Sequence, residues 1–278
     1  MDSEPSAPSP NPKPNLPPPT NAVISSKPNL PPPTNAVISS KPKQRDLLTH
    51  LEAYLAKRDG VDKLLKICRY AAKLIVASSI LPSDPNLSHR LKSFESSVGV
   101  SRKAFRLGKF VQDLNALRNA RVDSTSELIL SIIAYGSEGL YFFIEQFVWL
   151  AKTGLIDPKR SRILTKISAY AELGGYFGSV AMKFRDLRVI VEEEGCLKSS
   201  IEIEGLRGDD FGEKEIKLGK LREKKLIKRF SILQDFADGL MALDDILDGN
   251  APFSRPIVLS SAGLLSALIS THKNWVSC

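Results

Sequence analysis

Apolar residues recur at Val100, Ala104, Leu107, Val111 and Leu114, spacings of four, three, four and three that stack on one face of a helix, with Phe110 and Leu117 widening the stripe. Arg102, Arg106 and Lys109 fall on the opposite side, and Lys103 sits near the stripe's edge, where a long cation can lay its methylenes on apolar surface. Val98 and Phe105 interrupt the polar face. Gly99 and Gly108 each weaken a helix by about 1 kcal/mol. The pattern therefore predicts one amphipathic helix over Ser97 to Leu117, weakly helical in water and folding when its stripe meets an apolar surface. A coiled-coil seam, or the core face of a soluble bundle helix, has the same spacing. A basic helix with interleaved Phe could also lie on nucleic acid, but no nucleic-acid motif accompanies it.

Around this segment the pattern predicts further helices. Arg45 to Ser79 reads as two, divided at Asp59-Gly60. Leu47, Leu48, Leu51, Tyr54 and Leu55 line the first. Val61, Leu64, Leu65, Cys68, Ala72 and Ile75 line the second, with Lys63, Lys66, Arg69 and Lys73 off the stripe. Prolines at 82 and 85 end this run. Leu128 to Ala151 is the most apolar stretch and, at about 1.5 Å per residue, is long enough to cross a bilayer. Glu138 and Glu145, seven apart, share a face with Ser131 and Lys152; if the helix spans, that face must point into a bundle or oligomer.

Ile167 to Met182 follows a basic KRSR turn and carries Gly174 and Gly178, a GxxxG face for close helix contact, low in specificity by itself. From 192 to 229 charge and glycine dominate, which predicts a solvated loop leading into a charged helix. Phe230 to Leu247 resumes a stripe through Leu233, Phe236, Ala237, Leu240 and Leu243, with Asp235 and Asp238 on its expected solvated side. The apolar segment 257–271 reaches only about 22 Å, a short anchor or hairpin arm with Lys273 and Trp275 at the interface.

Composition then separates the first 44 residues from the rest. Thirteen of the 18 prolines lie there, and KPNLPPPTNAVISS occurs at 13–26 and again, unchanged, at 27–40. Such a tail favours polyproline II and disorder, and reads as a solvated spacer. The expected organisation is a Pro-rich tail at 1–44 followed by a helical membrane domain at 45–278. The fold class is mainly α, built of amphipathic and apolar membrane-associated helices. Charge sharpens the picture: Arg90 to Arg121 carries a net +6 and the tail +2, so the remaining residues balance to zero within the total of +8. The positive excess coincides with the amphipathic stripe.

Candidate chemistry adds little. Cys68, Cys196 and Cys278 are an odd, scattered set, against a disulfide framework and for a reducing compartment. The N-terminus has no secretory pattern, so the chain is expected to stay inside the cell, and its C-terminal Val-Ser-Cys matches no prenylation or peroxisomal import signal. His50, His89 and His272 are far apart, and no metal site or cofactor is expected. Asp244, Asp245 and Asp248 fit the DDxxD pattern with which isoprenoid synthases hold magnesium and a diphosphate, and 209–213 offers a second acidic cluster. The second lies among glycines and the first is followed at once by Gly249-Asn250, so a solvated helix face is the simpler reading. No enzyme is expected.

Five blocks in order, LEAYLAKRDGVDKLLKICRYAAKL, RLKSFESSVGVSRKAFRLGKFVQDLNALR, IAYGSEGLYFFIEQFVWLAKTGLID, SILQDFADGLMALDDILDG and SAGLLSALISTHKNWVSC, resemble the peroxin-11 family of peroxisomal membrane proteins, nearest its plant 11A branch. The resemblance runs from about Arg45 to Cys278; the duplicated tail is unlike the family. It implies a protein that elongates and curves the peroxisomal membrane before fission. The implied partners are anionic phospholipid, further copies of the chain, other family members, a fission adaptor and a dynamin-related GTPase. The family's remodelling helix corresponds to Ser97 to Leu117. Arg102, Lys103, Arg106 and Lys109 then take the headgroup role, and Val100, Leu107, Phe110, Val111 and Leu114 the wedge role. Gly174, Gly178 and the C-terminal segment would serve attachment or oligomer contacts. A rival proposal for the family is a pore for small metabolites, with Glu138 and Glu145 as lining candidates.

Overall fold

The computed structural model describes residues 46–78, 85–120, 124–207 and 212–278. The Pro-rich tail, residues 79–84 and Asp209 and Asp210 of the second acidic cluster lie outside them. As the sequence leads one to expect, the described residues form helices and no strand: α1 Leu47–Ala56, α2 Arg58–Ala77, α3 Pro85–Phe105, α4 Phe110–Arg118, α5 Thr125–Ser131, a π-helical turn Ile132–Gly136, α6 Ser137–Lys152, α7 Ser161–Arg207, α8 Gly212–Ile246 and α9 Pro256–Val276. Helix α2 packs between α3 and α9, α6 lies on α7, and α8 joins α7 to α9.

Local chemistry sets the ends. Ser124 caps α5 by accepting from the amide of Glu127, and Pro256 begins α9 where its missing N–H would be unpaired anyway. Gly154 at φ +87 stops α6, and the amide of Leu155 closes back on the Leu150 carbonyl. The first interhelical break falls at Lys57, before the expected Asp59-Gly60. Gly60 lies inside α2, where a Cβ would stand 2.0 Å from the Tyr54 carbonyl oxygen, so only glycine lets α1 approach this closely.

The expected charged loop at 192–229 is largely helix. Helix α7 runs 47 residues, about 70 Å, and meets α8 in an antiparallel hairpin. Local pattern misjudged this stretch because its charges are answered across the hairpin. Glu194 is buried against Lys225 and Lys198, and Lys228 donates to Asp186 at 2.8 Å. The helical propensity lost at the glycines is small beside the packing of two long helices.

The amphipathic helices face the other way from the sequence expectation. On α2 the buried positions are Gly60, Asp62, Lys66 and Ala72, while Cys68 and Ile75 of the expected core stripe are exposed. On α8, Asp235 and Asp238 are buried and Phe236 is 60% exposed. Helix α9 turns Ser260, Gly263, Ser266 and Ser270 inward and leaves Leu265 and Leu268 outside. Charged, hydroxyl and small side chains thus share the interior with large ones such as Tyr54, Phe142, Val148 and Ile190, while many other large apolar side chains lie on the outside. In water that arrangement would be unfavourable; in a bilayer ionisable groups belong in the bundle and small residues at helix contacts.

Candidate functional site

The predicted helix at 97–117 is two helices. Gly108 adopts φ +73 with open space where a Cβ would be, and Arg106–Lys109 form a turn between α3 and α4. That turn re-aims the stripe. Val100, Leu107 and Phe110 are half-buried, whereas Val111 and Leu114 are each 55% exposed.

The polar side of α3 faces the bundle. Val98, Gly99 and Arg102 form its buried face, so Val98, which breaks the sequence pattern of the polar side, marks the true interior. Gly99 leaves room for the Arg69 guanidinium, which donates to Glu95 at 2.7 Å. Arg102 Nε donates to Asp62 Oδ1 at 3.0 Å, and Arg106 and Lys63 approach the same carboxylate at 3.5 and 3.6 Å. Lys103 reaches Glu145 of α6, which also accepts from Ser168 of α7. Arg106 donates to the Tyr141 hydroxyl at 2.7 Å, and Lys109 lies 3.4 Å from Asp59 and 4.8 Å from the centre of the Phe142 ring. The four cations expected at headgroups are therefore turned inward, because fixed carboxylates on α2 and α6 offer partners at contact distance. Lys66 extends the cluster, donating to Asp238 at 2.7 Å and to Ser266 at 2.6 Å.

Burial alone would raise the pKa of Asp62, but Arg106, Arg102 and Lys63 outweigh it and hold its carboxyl well below the usual range. Lys63 shows the opposite stress: burial, with Lys109, Arg106 and Lys66 nearby and only Asp62 opposing, pushes it down to about 7. On α4, burial and then Glu138 push Asp113 up to about 7 against the pull of Lys109, and its Oδ2 has no hydrogen-bond partner. Folded Asp113 thus keeps a proton that the unfolded chain has lost, so stability falls as pH rises from about 4 through 7. Asp113→Asn is expected to raise stability by about 1–3 kcal/mol at pH 8 and hardly at all at pH 4, read from denaturant midpoints in detergent.

Outside the cluster, the exposed apolar residues of α4 and α6 meet. Phe110 and Phe143 contact edge to face at 5.5 Å, and Phe143 touches Phe147 at 5.3 Å. Val111 and Leu114 on α4 and Leu140, Phe143 and Phe147 along α6 are all exposed. Thr125–Lys152, 28 residues, is long and apolar enough to cross a membrane. Its Glu145 points into the bundle, while Glu138 is exposed beside α7.

Gly174 and Gly178 serve contacts within the chain. A Cβ on Gly178 would stand 2.5 Å from the amide nitrogen of Ala134 in the π-helical turn, and one on Gly174 would meet Ser137. Their close approach within the chain is to the π-helical turn and the first residue of α6. The DDxxD carboxylates diverge: Asp244 accepts from Ser254, Asp248 pairs with Lys166 and Arg162, and Asp245 faces the Arg69 and Lys103 side.

A helical bundle with ion pairs in its interior, many large apolar side chains exposed and one helix long and apolar enough to cross a membrane has the character of a helical membrane protein. The profile of the Peroxisomal biogenesis factor 11 (PEX11) family matches residues 48–275, and the chain belongs to that family. Peroxisomal membrane protein 11A of Arabidopsis thaliana is 63% identical over 236 residues, covering 85% of this chain and 95% of the relative. Peroxisomal membrane protein 11-3 of Oryza sativa subsp. japonica is 53% identical over 237 residues, covering 84% and 91%. The yeast protein PMP30B of Candida boidinii, also a peroxisomal membrane protein, is 25% identical over 252 residues, covering 82% and 94%. No solved structure matches the chain. The chain is a peroxisomal membrane protein.

Proposed function

We propose that this protein elongates and curves the peroxisomal membrane, promoting peroxisome proliferation and fission, by seating the joined α4–α6 apolar face in the lipid. The observation that carries this reading is the exposed stripe of Val111, Leu114, Leu140, Phe143 and Phe147 on a chain of this membrane family. Shallow burial of one helix pushes lipids apart in one leaflet, and each of these side chains gains about 1.5 kcal/mol or more on leaving water. The α3 cations, docked on Asp62 and Glu145, fix the angle at which α4 is presented; a headgroup role for them requires α3 to leave those carboxylates. Anionic phospholipid, further copies of the chain, other family members, a fission adaptor and a dynamin-related GTPase are the partners of this reading.

Purified full-length protein added to phosphatidylcholine–phosphatidylserine vesicles is expected to draw them into tubules. Val111→Glu with Leu114→Glu, both on exposed positions where folding is insensitive, is expected to abolish tubulation. Undiminished tubulation by that variant would remove α4 from the mechanism. Leakage of small solutes from vesicles that keep their shape would favour the metabolite pore instead.

A further inference from the structure

The inward cations do more than pair. Between α2, α3, α6, α7 and α8 lies a cavity of about 270 Å³, and its wall carries eight Lys or Arg side chains against four Asp or Glu. Behind the wall, Asp59, Asp62 and Glu95 pair with some of these cations, so the eight wall cations outnumber the carboxylates around them by only one, and Lys63 is among the eight. Asp62 alone answers Arg102, Arg106 and Lys63. Arg102 is 5% exposed, and its Nη2 has no hydrogen-bond partner. Lys152, also on the wall, is exposed and makes no ion pair among the described residues. A buried guanidinium Nη2 without a protein partner, in a roomy site lined by cations, is a donor that an oxyanion can satisfy; the neighbouring Asp62 Oδ2 likewise has no hydrogen-bond partner. Guanidinium forks and ammonium groups around one space match the several oxygens of a phosphate better than a single carboxylate.

We infer that this cavity binds a small phosphorylated anion, held by Arg102, Arg106, Lys63 and Lys152, from either a soluble compound or a lipid headgroup. The volume corresponds to roughly nine waters at about 30 Å³ each, room for a pyrophosphate-sized group but not for an acyl chain. Lys63 reports occupancy. It feels Asp62 and Lys66 on its own helix, Arg106 and Lys109 in the turn after α3, Glu138 on α6 and Asp238 on α8. Burial brings its pKa down to about 7, so at pH 7.5 it is only partly protonated. Glu172 of α7, on the same wall and pushed up to about 7 by burial, titrates in the same range. An entering anion favours the ammonium form, so binding takes up a fraction of a proton and weakens as pH rises from 6.5 to 8.5.

The experiment is calorimetric titration of inorganic pyrophosphate into the full chain in phosphatidylcholine nanodiscs at pH 7.5, in two buffers of different ionisation enthalpy. Saturable binding with proton uptake is expected. Lys63→Gln with Lys152→Gln, which leaves the Arg102–Asp62 pair in place, should weaken binding at least tenfold and remove the uptake while the circular dichroism is unchanged. If that double variant does not fold, Lys152→Gln alone should still weaken binding severalfold. Nanodiscs containing phosphatidylinositol 4,5-bisphosphate separate the two sources: a rightward shift of the pyrophosphate curve assigns the site to a headgroup, and an unchanged curve to a soluble anion. No saturable binding of either probe, or equal binding by a folded variant, overturns the site. A chain that bends vesicles without binding pyrophosphate would overturn the cavity and leave the bending intact.

Discussion

Replacing Asp62 with alanine is expected to destabilise the bundle by about 3–5 kcal/mol, the loss that follows when one partner of a buried ion pair is removed and its counter-charges stay behind. The Asp62 side chain is 2% exposed and lies within 3.0–3.6 Å of three cations. Without it, Arg102, Arg106 and Lys63 face one another in a space that also holds Lys66. The carboxyl is held below its usual range, so its stabilisation is full above about pH 4 and is lost as pH falls further. Adding Arg102→Leu to Asp62→Ala should restore part of the loss, because an apolar pair is often as stable as the ion pair it replaces. Asp248→Ala is the contrast: its partners Lys166 and Arg162 are open to solvent, and the change should stay within about 1 kcal/mol. Urea midpoints in detergent decide between them. An unchanged midpoint for Asp62→Ala would mean that α3 is not docked on α2.

The inversion behind that prediction explains how much the sequence could tell. Periodicity located α2, where Val61, Leu64, Leu65 and Cys68 do share a face, but not the helical stretches of α7 and α8 within 192–229. It could not say which face meets the surroundings, since a period records only that two faces differ. The core rule for water puts Cys68 and Ile75 inside and Asp62 and Lys66 outside, and this bundle does the reverse. The break at Gly108 was illegible for a different reason. A mid-helix glycine costs only about 1 kcal/mol, and whether it turns to positive φ is decided by what the flanking segments dock against. The cavity was harder still, because Lys66 meets Asp238 across 172 positions of sequence. Signals were present nonetheless: Val98 on the supposed polar face, and Asp62 with Lys66 one turn apart, show that charge and apolar surface share the buried side of these helices.

Gly178→Ala is expected to be strongly damaging for so conservative a substitution. The added Cβ would stand 2.5 Å from the Ala134 amide nitrogen and 2.8 Å from its Cα, backbone atoms that no rotamer change can move. Either α7 separates from the π-helical turn or the turn itself rewinds, and overpacking of this kind costs about 1–3 kcal/mol. Moving that turn also moves α6 and with it the Phe143–Phe110 contact that sets α4 against it. Vesicle tubulation should therefore fall along with stability. Gly195→Ala on the same helix supplies the control, because nothing lies within 4 Å of its added Cβ and the better helix former should stabilise by up to about 1 kcal/mol. Thermal melts of the two variants in the same detergent should move in opposite directions. A Gly178→Ala protein that melts with the parent would show that α7 does not approach Ala134 this closely, and would return Gly178 to the list of surfaces open to a second copy of the chain.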